Sequence, residues 1–200
     1  MGKSIDFYFD FTSPYGYLAS TRIEEIAQRF DREINWHPLV LGFIFKTTGS
    51  QPLTQIPLKG DYAIMDIARS ARRLNVPYQM PDNFPVGTIA AARTSLWLDT
   101  IDQPKNVEFI HAIYKSYFAD NIDISEAENV LSVASSIGID TDQLSSALAT
   151  PEVKGLLKTA VDDAVTKGIF GSPTICIDGE NFWGQDRLPD VEHWLATGGW

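Results

Sequence analysis

The chain has 200 residues, of which 44% are hydrophobic and 21% charged, and its formal net charge is −10 at pH 7. This length allows one domain with a large core, or one domain that carries an insertion. The acidic balance argues against broad nucleic-acid binding and against docking on anionic membranes, so a small-molecule partner is favoured. The single cysteine, Cys176, rules out an internal disulfide and every CxxC redox or zinc arrangement, and it is typical of a reducing compartment.

The sequence shows no targeting or membrane signal. The stretch MGKSIDFYFD carries Asp6 and Asp10 where a signal peptide would be apolar. The longest apolar run, PLVLGFIF, is too short to cross a bilayer. We therefore expect a cytoplasmic protein.

Three elements are predicted in the first 40 residues. Apolar side chains at every second position from Ile5 to Phe11 predict a strand with one buried face. From Pro14 the spacing changes to that of an amphipathic helix, and a second strand follows over EINWHPLV. Because the two strands enclose a helix, they form a βαβ unit and are expected to be parallel.

The middle of the chain, about 45–165, is predicted to be helical throughout, without repeats or low-complexity tracts. Apolar residues recur at helical spacing in GDYAIMDIARSARRL, TIAAARTSLWL and KNVEFIHAIYKSYF. Ser125 and Glu128 predict a capping box at the start of a further helix, which Gly138 should end. Thr150–Pro151 predicts the start of the last helix of this region.

Strands return after the helical region. PTICIDGENFWG predicts a hairpin with its turn at Asp178–Gly179, and RLPDVEHWLATGG predicts a final helix. Without the helical middle the order is βαβ followed by ββα, which is that of the thioredoxin fold. We therefore predict an α/β protein with a thioredoxin-like βαβ-ββα core from residues 1–44 and 166–200. An all-helical domain, residues 45–165, is inserted after the second strand.

Ser13 and Pro14 lie at the junction between the first strand and the first helix. They have an ordinary structural interpretation, because serine is a common N-cap residue and proline is common at the first helical position. They also have a functional interpretation, because a helix N-terminus offers free N–H groups and the positive end of a dipole to an anion. The local sequence leaves both interpretations open.

Motifs at both ends of the chain resemble those of a known family. FDFTSPYGYLAS, FKTTGSQP, PLKG and GIFGSPTICIDGENFWGQDRL together resemble the 2-hydroxychromene-2-carboxylate isomerases and the related kappa-class glutathione transferases. The resemblance covers nearly the whole chain and implies the thioredoxin-like core with an inserted helical domain. The disulfide oxidoreductase DsbA shares this architecture but has CxxC where this chain has Ser13-Pro14-Tyr15-Gly16. Disulfide exchange by protein thiols is therefore excluded.

The resemblance implies glutathione as cofactor and Ser13 as the residue that stabilises its thiolate. A thiol with a pKa of about 8.5 is mostly protonated at neutral pH, and lowering that pKa by about two units corresponds to roughly 2.7 kcal/mol. The Ser13 hydroxyl would contribute a charge-assisted hydrogen bond to the sulfur. Pro14 and Tyr15 belong to the same cofactor-binding segment. Tyr15 and Tyr17 are also candidates to line an aromatic substrate pocket.

Further cofactor contacts are implied near the end of the chain. Pro173 is expected to be cis, so that the backbone of Ser172 pairs with the cysteinyl part of glutathione. Gln185 and Asp186 are expected at the γ-glutamyl end, where N–H groups bind the carboxylate and the Asp186 side chain binds the ammonium. A structural alternative for Asp186 is a helix cap.

Lys46, Ser50 and Lys59 are placed at the mouth of the helical insertion. The two lysines are assigned to the glycine carboxylate of glutathione or to the substrate carboxylate, with solvated surface lysines as the alternative. Ser50 stands where the family usually has Asn, which leaves one cofactor hydrogen bond open. Gly87 is a second difference from the family, which tends to have Asn near this position, and it affects the substrate end of the site.

Other conspicuous residues are given structural interpretations. His37, His111 and His193 are scattered and predict no metal site. Cys176 lies in a predicted strand and is assigned to the core rather than to a nucleophile. Trp183 is assigned to the core or to an interface.

The function implied by the resemblance is a glutathione-dependent cis–trans isomerase of aromatic catabolism. It would interconvert 2-hydroxychromene-2-carboxylate and trans-o-hydroxybenzylidenepyruvate through reversible addition of the glutathione thiolate. The partner is a small aromatic carboxylate, without nucleic acid or membrane, and relatives are usually homodimers. Three alternatives stay open: a kappa-like glutathione S-transferase or peroxidase, an isomerase of another unsaturated carboxylate, and a non-catalytic thioredoxin-like binding module.

Overall fold

Four strands form one mixed sheet in the computed structural model, which describes residues 4–200. The strands are β1 (Ser4–Phe9), β2 (Glu33–Pro38), β3 (Thr174–Ile177) and β4 (Glu180–Trp183), in the spatial order β2-β1-β3-β4. The α-helices of the described residues are α1 (Pro14–Arg29), α2 (Leu41–Thr48), α3 (Lys59–Leu74), α4 (Ile89–Ile101), α5 (Gln103–Phe118), α6 (Ala127–Ser136), α7 (Thr141–Ala149), α8 (Pro151–Thr166) and α9 (Leu188–Thr197). Single 3₁₀ turns occur at Leu53–Gln55 and Gln185–Arg187.

The sheet confirms the predicted βαβ and ββα halves. β1 and β2 are parallel, with Phe7 opposite Trp36, and β1 and β3 are antiparallel, with Phe7 opposite Ile175. β3 and β4 form the predicted hairpin. Its turn residues Asp178 and Gly179 have φ values of 51° and 94°, which is the left-handed pair that a tight hairpin turn requires. The predicted α/β class and thioredoxin-like core are confirmed.

The core extends from the sheet into the helices of the middle region. Ile5, Phe7 and Phe9 alternate along β1 and are fully buried. Phe11, just beyond β1, packs against Tyr114 of α5 with ring centroids 5.3 Å apart. The predicted division into two domains, residues 1–44 with 166–200 and residues 45–165, stays a prediction. Residues 1–3 lie outside the described part of the chain. Apolar packing is continuous across that boundary.

The helix ends agree with the sequence at most positions and differ at one. Ser125 does not cap a helix: its hydroxyl donates to the Asp123 carboxylate at 2.6 Å, and α6 begins after Glu126. The predicted capping box is therefore wrong, because the helix begins one residue later than predicted, with Glu126 as its N-cap. Gly138, with a φ of 83°, follows the end of α6 as predicted. Among the helices of residues 4–200, none is both long and apolar enough to cross a bilayer.

Candidate functional site

Ser13 joins two distant segments of the chain. Its hydroxyl accepts the Gly16 N–H at 3.0 Å, so Ser13 is the N-cap of α1, as its structural interpretation predicts. The same hydroxyl donates to the carbonyl oxygen of Ser172 at 2.9 Å, across 159 residues of sequence. Ser13 is only 5% exposed. The Ser13 side chain therefore caps α1 and contacts the loop before β3 at the same time.

The loop before β3 is fixed on both sides. The Ser172–Pro173 peptide bond is cis, as predicted. The Pro173 carbonyl accepts the Gly184 N–H at 3.0 Å, and the Ser172 hydroxyl accepts the Asp10 N–H at 3.0 Å. The peptide group of Ser172 is thereby held beside Ser13.

Asp10 is a buried carboxyl group directly behind this junction, and it is 1% exposed. Its backbone carbonyl accepts the Ser13 N–H at 2.8 Å and the Tyr114 hydroxyl at 3.0 Å. Burial raises the pKa of the Asp10 carboxyl, and its side-chain hydrogen bonds oppose the rise. Those bonds come from the Leu41 N–H at 2.6 Å, the Thr88 hydroxyl at 2.6 Å and the Thr12 N–H at 3.1 Å.

The first turn of α1 has no spare room. A Cβ atom built on Gly16 would lie 2.6 Å from the Tyr114 hydroxyl and 2.9 Å from the Ser172 hydroxyl. The absence of a side chain at this position lets the helix start approach both groups closely.

A cleft of about 680 Å³ opens beside the Ser172 loop, within the usual range of small-molecule sites. Of the predicted site residues, Tyr15, Ser172, Gln185 and Asp186 line it. Ser13, Pro14 and Pro173 are buried and do not line it, although Ser13 contacts Ser172. The structure thus brings the two end motifs of the chain together.

Lys46, Ser50 and Lys59 are exposed and do not line the cleft. The Lys46 ammonium lies over the Phe43 ring, 5.6 Å from its centroid. Their assignment to a carboxylate or to the cofactor stays a prediction. Asp186 is not a helix cap, since α9 has no side-chain cap, and its carboxylate pairs with Arg187 at 2.7 Å.

Helix α3 supplies cleft residues that the sequence reasoning missed. They share one helical face, because they are spaced three or four residues apart along α3. They are Tyr62, Asp66, Arg69, Ser70 and Arg73. That polar spacing is the signal that would have identified them, but only the apolar face of this helix was considered.

Tyr15 links α1 to this face of α3. Its hydroxyl donates to Asp66 at 2.9 Å, and Arg69 donates to the other oxygen of the same carboxylate at 2.5 Å. Burial and the hydrogen bond to Asp66 raise the pKa of Tyr15 well above its ordinary value. Tyr15 is therefore a neutral phenol at physiological pH, with its proton directed at α3.

Of the two assignments of Trp183, the core is wrong, and an interface stays a prediction. Its side chain lines the cleft and is 52% exposed. A Cβ atom on Gly171 would lie 2.2 Å from the indole Nε1, so the ring lies flush against that glycine.

Cys176 is partly rather than fully buried, and it does not line the cleft. Burial raises the pKa of its thiol, which disfavours the reactive thiolate. Within residues 4–200, no group of histidine, cysteine and carboxylate side chains is arranged to hold a metal ion.

The chain is similar to known proteins over nearly its full length. The family model described as a DSBA-like thioredoxin domain matches residues 4–196. A 2-hydroxychromene-2-carboxylate isomerase from Sphingobium xenophagum is 29% identical over 197 aligned positions, which cover 98% of this chain and 99% of the relative. Glutathione S-transferase kappa 1 from Rattus norvegicus is 28% identical over 207 aligned positions, which cover 97% and 91%. A solved structure of 2-hydroxychromene-2-carboxylate isomerase superposes with a TM-score of 0.87 at 22% identity, covering 96% of this chain and 94% of that one.

Proposed function

The chain belongs to the DSBA-like thioredoxin domain family, and we propose that it is a glutathione-dependent enzyme within it. The reaction we propose is the cis–trans isomerisation that interconverts 2-hydroxychromene-2-carboxylate and trans-o-hydroxybenzylidenepyruvate. The observation that carries the proposal is the Ser13 hydroxyl at the start of α1, hydrogen-bonded to the peptide group that precedes cis-Pro173. This peptide group borders a cleft of suitable size.

The residues around Ser13 fit a ligand that brings its own sulfur. Ser13-Pro14-Tyr15-Gly16 contains no cysteine, and Cys176 lies outside the cleft. When bound, glutathione supplies a nucleophilic thiolate for reversible addition to a conjugated double bond. The start of α1 stabilises such an anion through its dipole, while the Gly16 N–H already donates to Ser13.

The hydrogen bond between the Ser13 hydroxyl and the Ser172 carbonyl can be replaced by two hydrogen bonds to a bound ligand. The Ser13 proton points at the Ser172 carbonyl, while the Gly16 N–H donates to the Ser13 oxygen. Rotation of the hydroxyl toward the cleft directs the proton to a thiolate and leaves the Ser172 carbonyl free to accept a peptide N–H. The retained Gly16 bond polarises the hydroxyl and strengthens it as a donor. Gln185 and Asp186 line the same cleft and are available to the γ-glutamyl end.

The remaining walls of the cleft suit an aromatic molecule. Tyr62 and Trp183 present exposed rings, and Leu53 adds apolar surface. Planar aromatic ligands bind well between such side chains. These walls support a small aromatic carboxylate as the substrate.

A glutathione transferase reaction is the second candidate. The isomerase and kappa transferase relatives are similar to this chain at almost equal identity, 29% and 28%. The two functions differ in stoichiometry. An isomerase leaves the total free thiol unchanged, whereas a transferase consumes one thiol for each product.

The first experiment is a titration with glutathione that follows the ultraviolet absorbance of the thiolate near neutral pH. We expect a saturable signal in the wild type and its loss in Ser13→Ala. Thr150→Ala is the matched control, because Thr150 caps α8 by the same kind of hydrogen bond, to the Val153 N–H, and does not line the cleft. No signal in the wild type would contradict the proposal and favour a non-catalytic binding module.

The second experiment separates the two reactions. The wild type is given 2-hydroxychromene-2-carboxylate and glutathione, and product and free thiol are measured in the same sample. Product formation at constant free thiol supports the isomerase. A loss of thiol equal to the product formed would establish the transferase instead.

A further inference from the structure

Three arginines line the cleft, and two of them are paired with acidic side chains. Arg69 donates to Asp66 at 2.5 Å, and Arg187 donates to Asp186 at 2.7 Å. Arg73 also lines the cleft, but its guanidinium has no ion pair or hydrogen bond with any other residue of the described chain, 4–200. The cleft therefore contains one cation whose charge is not compensated by the protein.

Ser70 lies one helical turn before Arg73 on the same face of α3. It lines the cleft but is only 7% exposed. In the part of the chain that the structure describes, its hydroxyl also has no partner. Solvent still reaches the Ser70 oxygen, so a ligand in the cleft can reach it as well. An unpaired guanidinium and an unpaired hydroxyl at this spacing are two donors that one ligand can satisfy.

The charge around Arg73 contrasts with the charge of the molecule. The chain carries a net charge of −10, but three arginines and only two aspartates line the cleft. Arg187 also donates to Asp190, just outside the cleft, at 3.1 Å, so each carboxylate at this wall is paired and Arg73 is the guanidinium left without one. A guanidinium of this kind in a concave site attracts anions.

We propose that Arg73, together with Ser70, binds the carboxylate of the acceptor, the molecule to which the thiolate adds. This proposal rests on the function proposed above. A guanidinium matches a carboxylate through two parallel hydrogen bonds. None of the α3 residues that line the cleft is assigned to glutathione, so this wall is available to the acceptor. Arg73 lines the cleft, whereas Lys46 and Lys59, the lysines assigned to a carboxylate from the sequence, do not.

The test compares the binding of a charged and a neutral probe of the same shape. The probes are trans-cinnamate and trans-cinnamamide, and their dissociation constants are measured by calorimetry with and without glutathione. We expect the wild type to prefer the carboxylate by about tenfold or more, the usual size of a hydrogen bond to a charged group. Arg73→Gln should lose this preference, and Ser70→Ala should reduce it by a smaller factor.

Arg72→Gln is the matched control, since Arg72 is the exposed neighbour on α3 and does not line the cleft. It should keep the wild-type preference. The proposal is overturned if Arg73→Gln also keeps it. It is overturned equally if Arg73→Gln weakens only glutathione binding, because the carboxylate would then belong to glutathione. If wild type binds no glutathione but its preference for cinnamate depends on Arg73, the proposed function fails and the carboxylate subsite stands.

Discussion

At the level of single residues, the Ser13 side chain combines two interactions with different consequences. It caps α1 through the Gly16 N–H, and it holds the Ser172 carbonyl through its own proton. The first interaction concerns the stability of the helix, and the second concerns the arrangement of the candidate site. The two can be measured separately.

We predict that Ser13→Ala lowers the free energy of unfolding by about 1 kcal/mol, the usual cost of losing an N-cap. Thr150→Ala should cost a similar amount, because it removes the equivalent cap of α8. Urea unfolding of both variants measures these changes. A Ser13→Ala protein as stable as the wild type would show that the cap contributes nothing here.

Asp10 is the second residue whose role can be tested alone. Burial raises its pKa above the ordinary value of 3.8. The folded state therefore binds more protons than the unfolded chain in the range above 3.8, and its stability falls as the pH rises through that range. Asp10→Asn removes this pH-dependent contribution to the free energy of unfolding. It also costs about 1–3 kcal/mol, because an amide N–H₂ then faces groups that donate.

We therefore predict that the difference in unfolding free energy between wild type and Asp10→Asn shrinks as the pH rises from below 3.8. Chemical unfolding at a series of pH values measures this difference. A difference that stays constant with pH would contradict the assignment.

At the level of elements, the start of α1 is closely packed against α5 and the Ser172 loop. Gly16→Ala forces a methyl group toward the Tyr114 and Ser172 hydroxyls, so we expect a loss of about 1–3 kcal/mol in stability. Glutathione binding should be lost with it. Gly155→Ala is the control, since nothing lies within 4 Å of its added Cβ in α8. It should stabilise the protein by about 0.5–1 kcal/mol.

Equilibrium unfolding and the glutathione titration measure both effects of these variants. A Gly16→Ala protein that unfolds like the wild type and still binds glutathione would show that the first turn of α1 can move. The close packing seen around Gly16 would then not be needed for the site.

The elements themselves were largely predictable from the sequence, because their signals are local. Alternation along β1, the proline at the start of α1 and the turn at Asp178–Gly179 each act within a few residues. The capping box predicted at Ser125 was wrong because α6 has Glu126 as its N-cap, and a shift of one residue at a helix start is not visible in the local pattern.

The site was only partly predictable, because its remaining residues are joined by tertiary contacts. Ser13 and Ser172 were identified through motifs at opposite ends of the chain. Asp66 and Arg73 carried no motif, and their place in the cleft depends on how α3 packs. Lys46 and Lys59 were assigned from the motifs FKTTGSQP and PLKG; neither lines the cleft, and their role stays a prediction.

At the level of the whole molecule, the resemblance predicts a homodimer. Leu58 is 88% exposed, and Met65 on the following helix is also exposed. Apolar surface of this kind is available for a contact between subunits. We expect sedimentation equilibrium to give a mass near twice the 22.3 kDa of one chain. A mass of one chain at micromolar concentration would contradict the prediction.

The sheet order β2-β1-β3-β4 also has a consequence for biosynthesis. β3 pairs with β1, yet the Ser172 loop that leads into it lies 159 residues after Ser13. At about 5–20 residues per second, a ribosome needs about 8–30 s to translate that interval. Throughout it, the nascent chain carries β1 without its partner on one edge, and Ser13 without the loop it contacts. A chain released after α8 lacks β3 and β4, so the set of cleft residues is complete only once Arg187 has been translated.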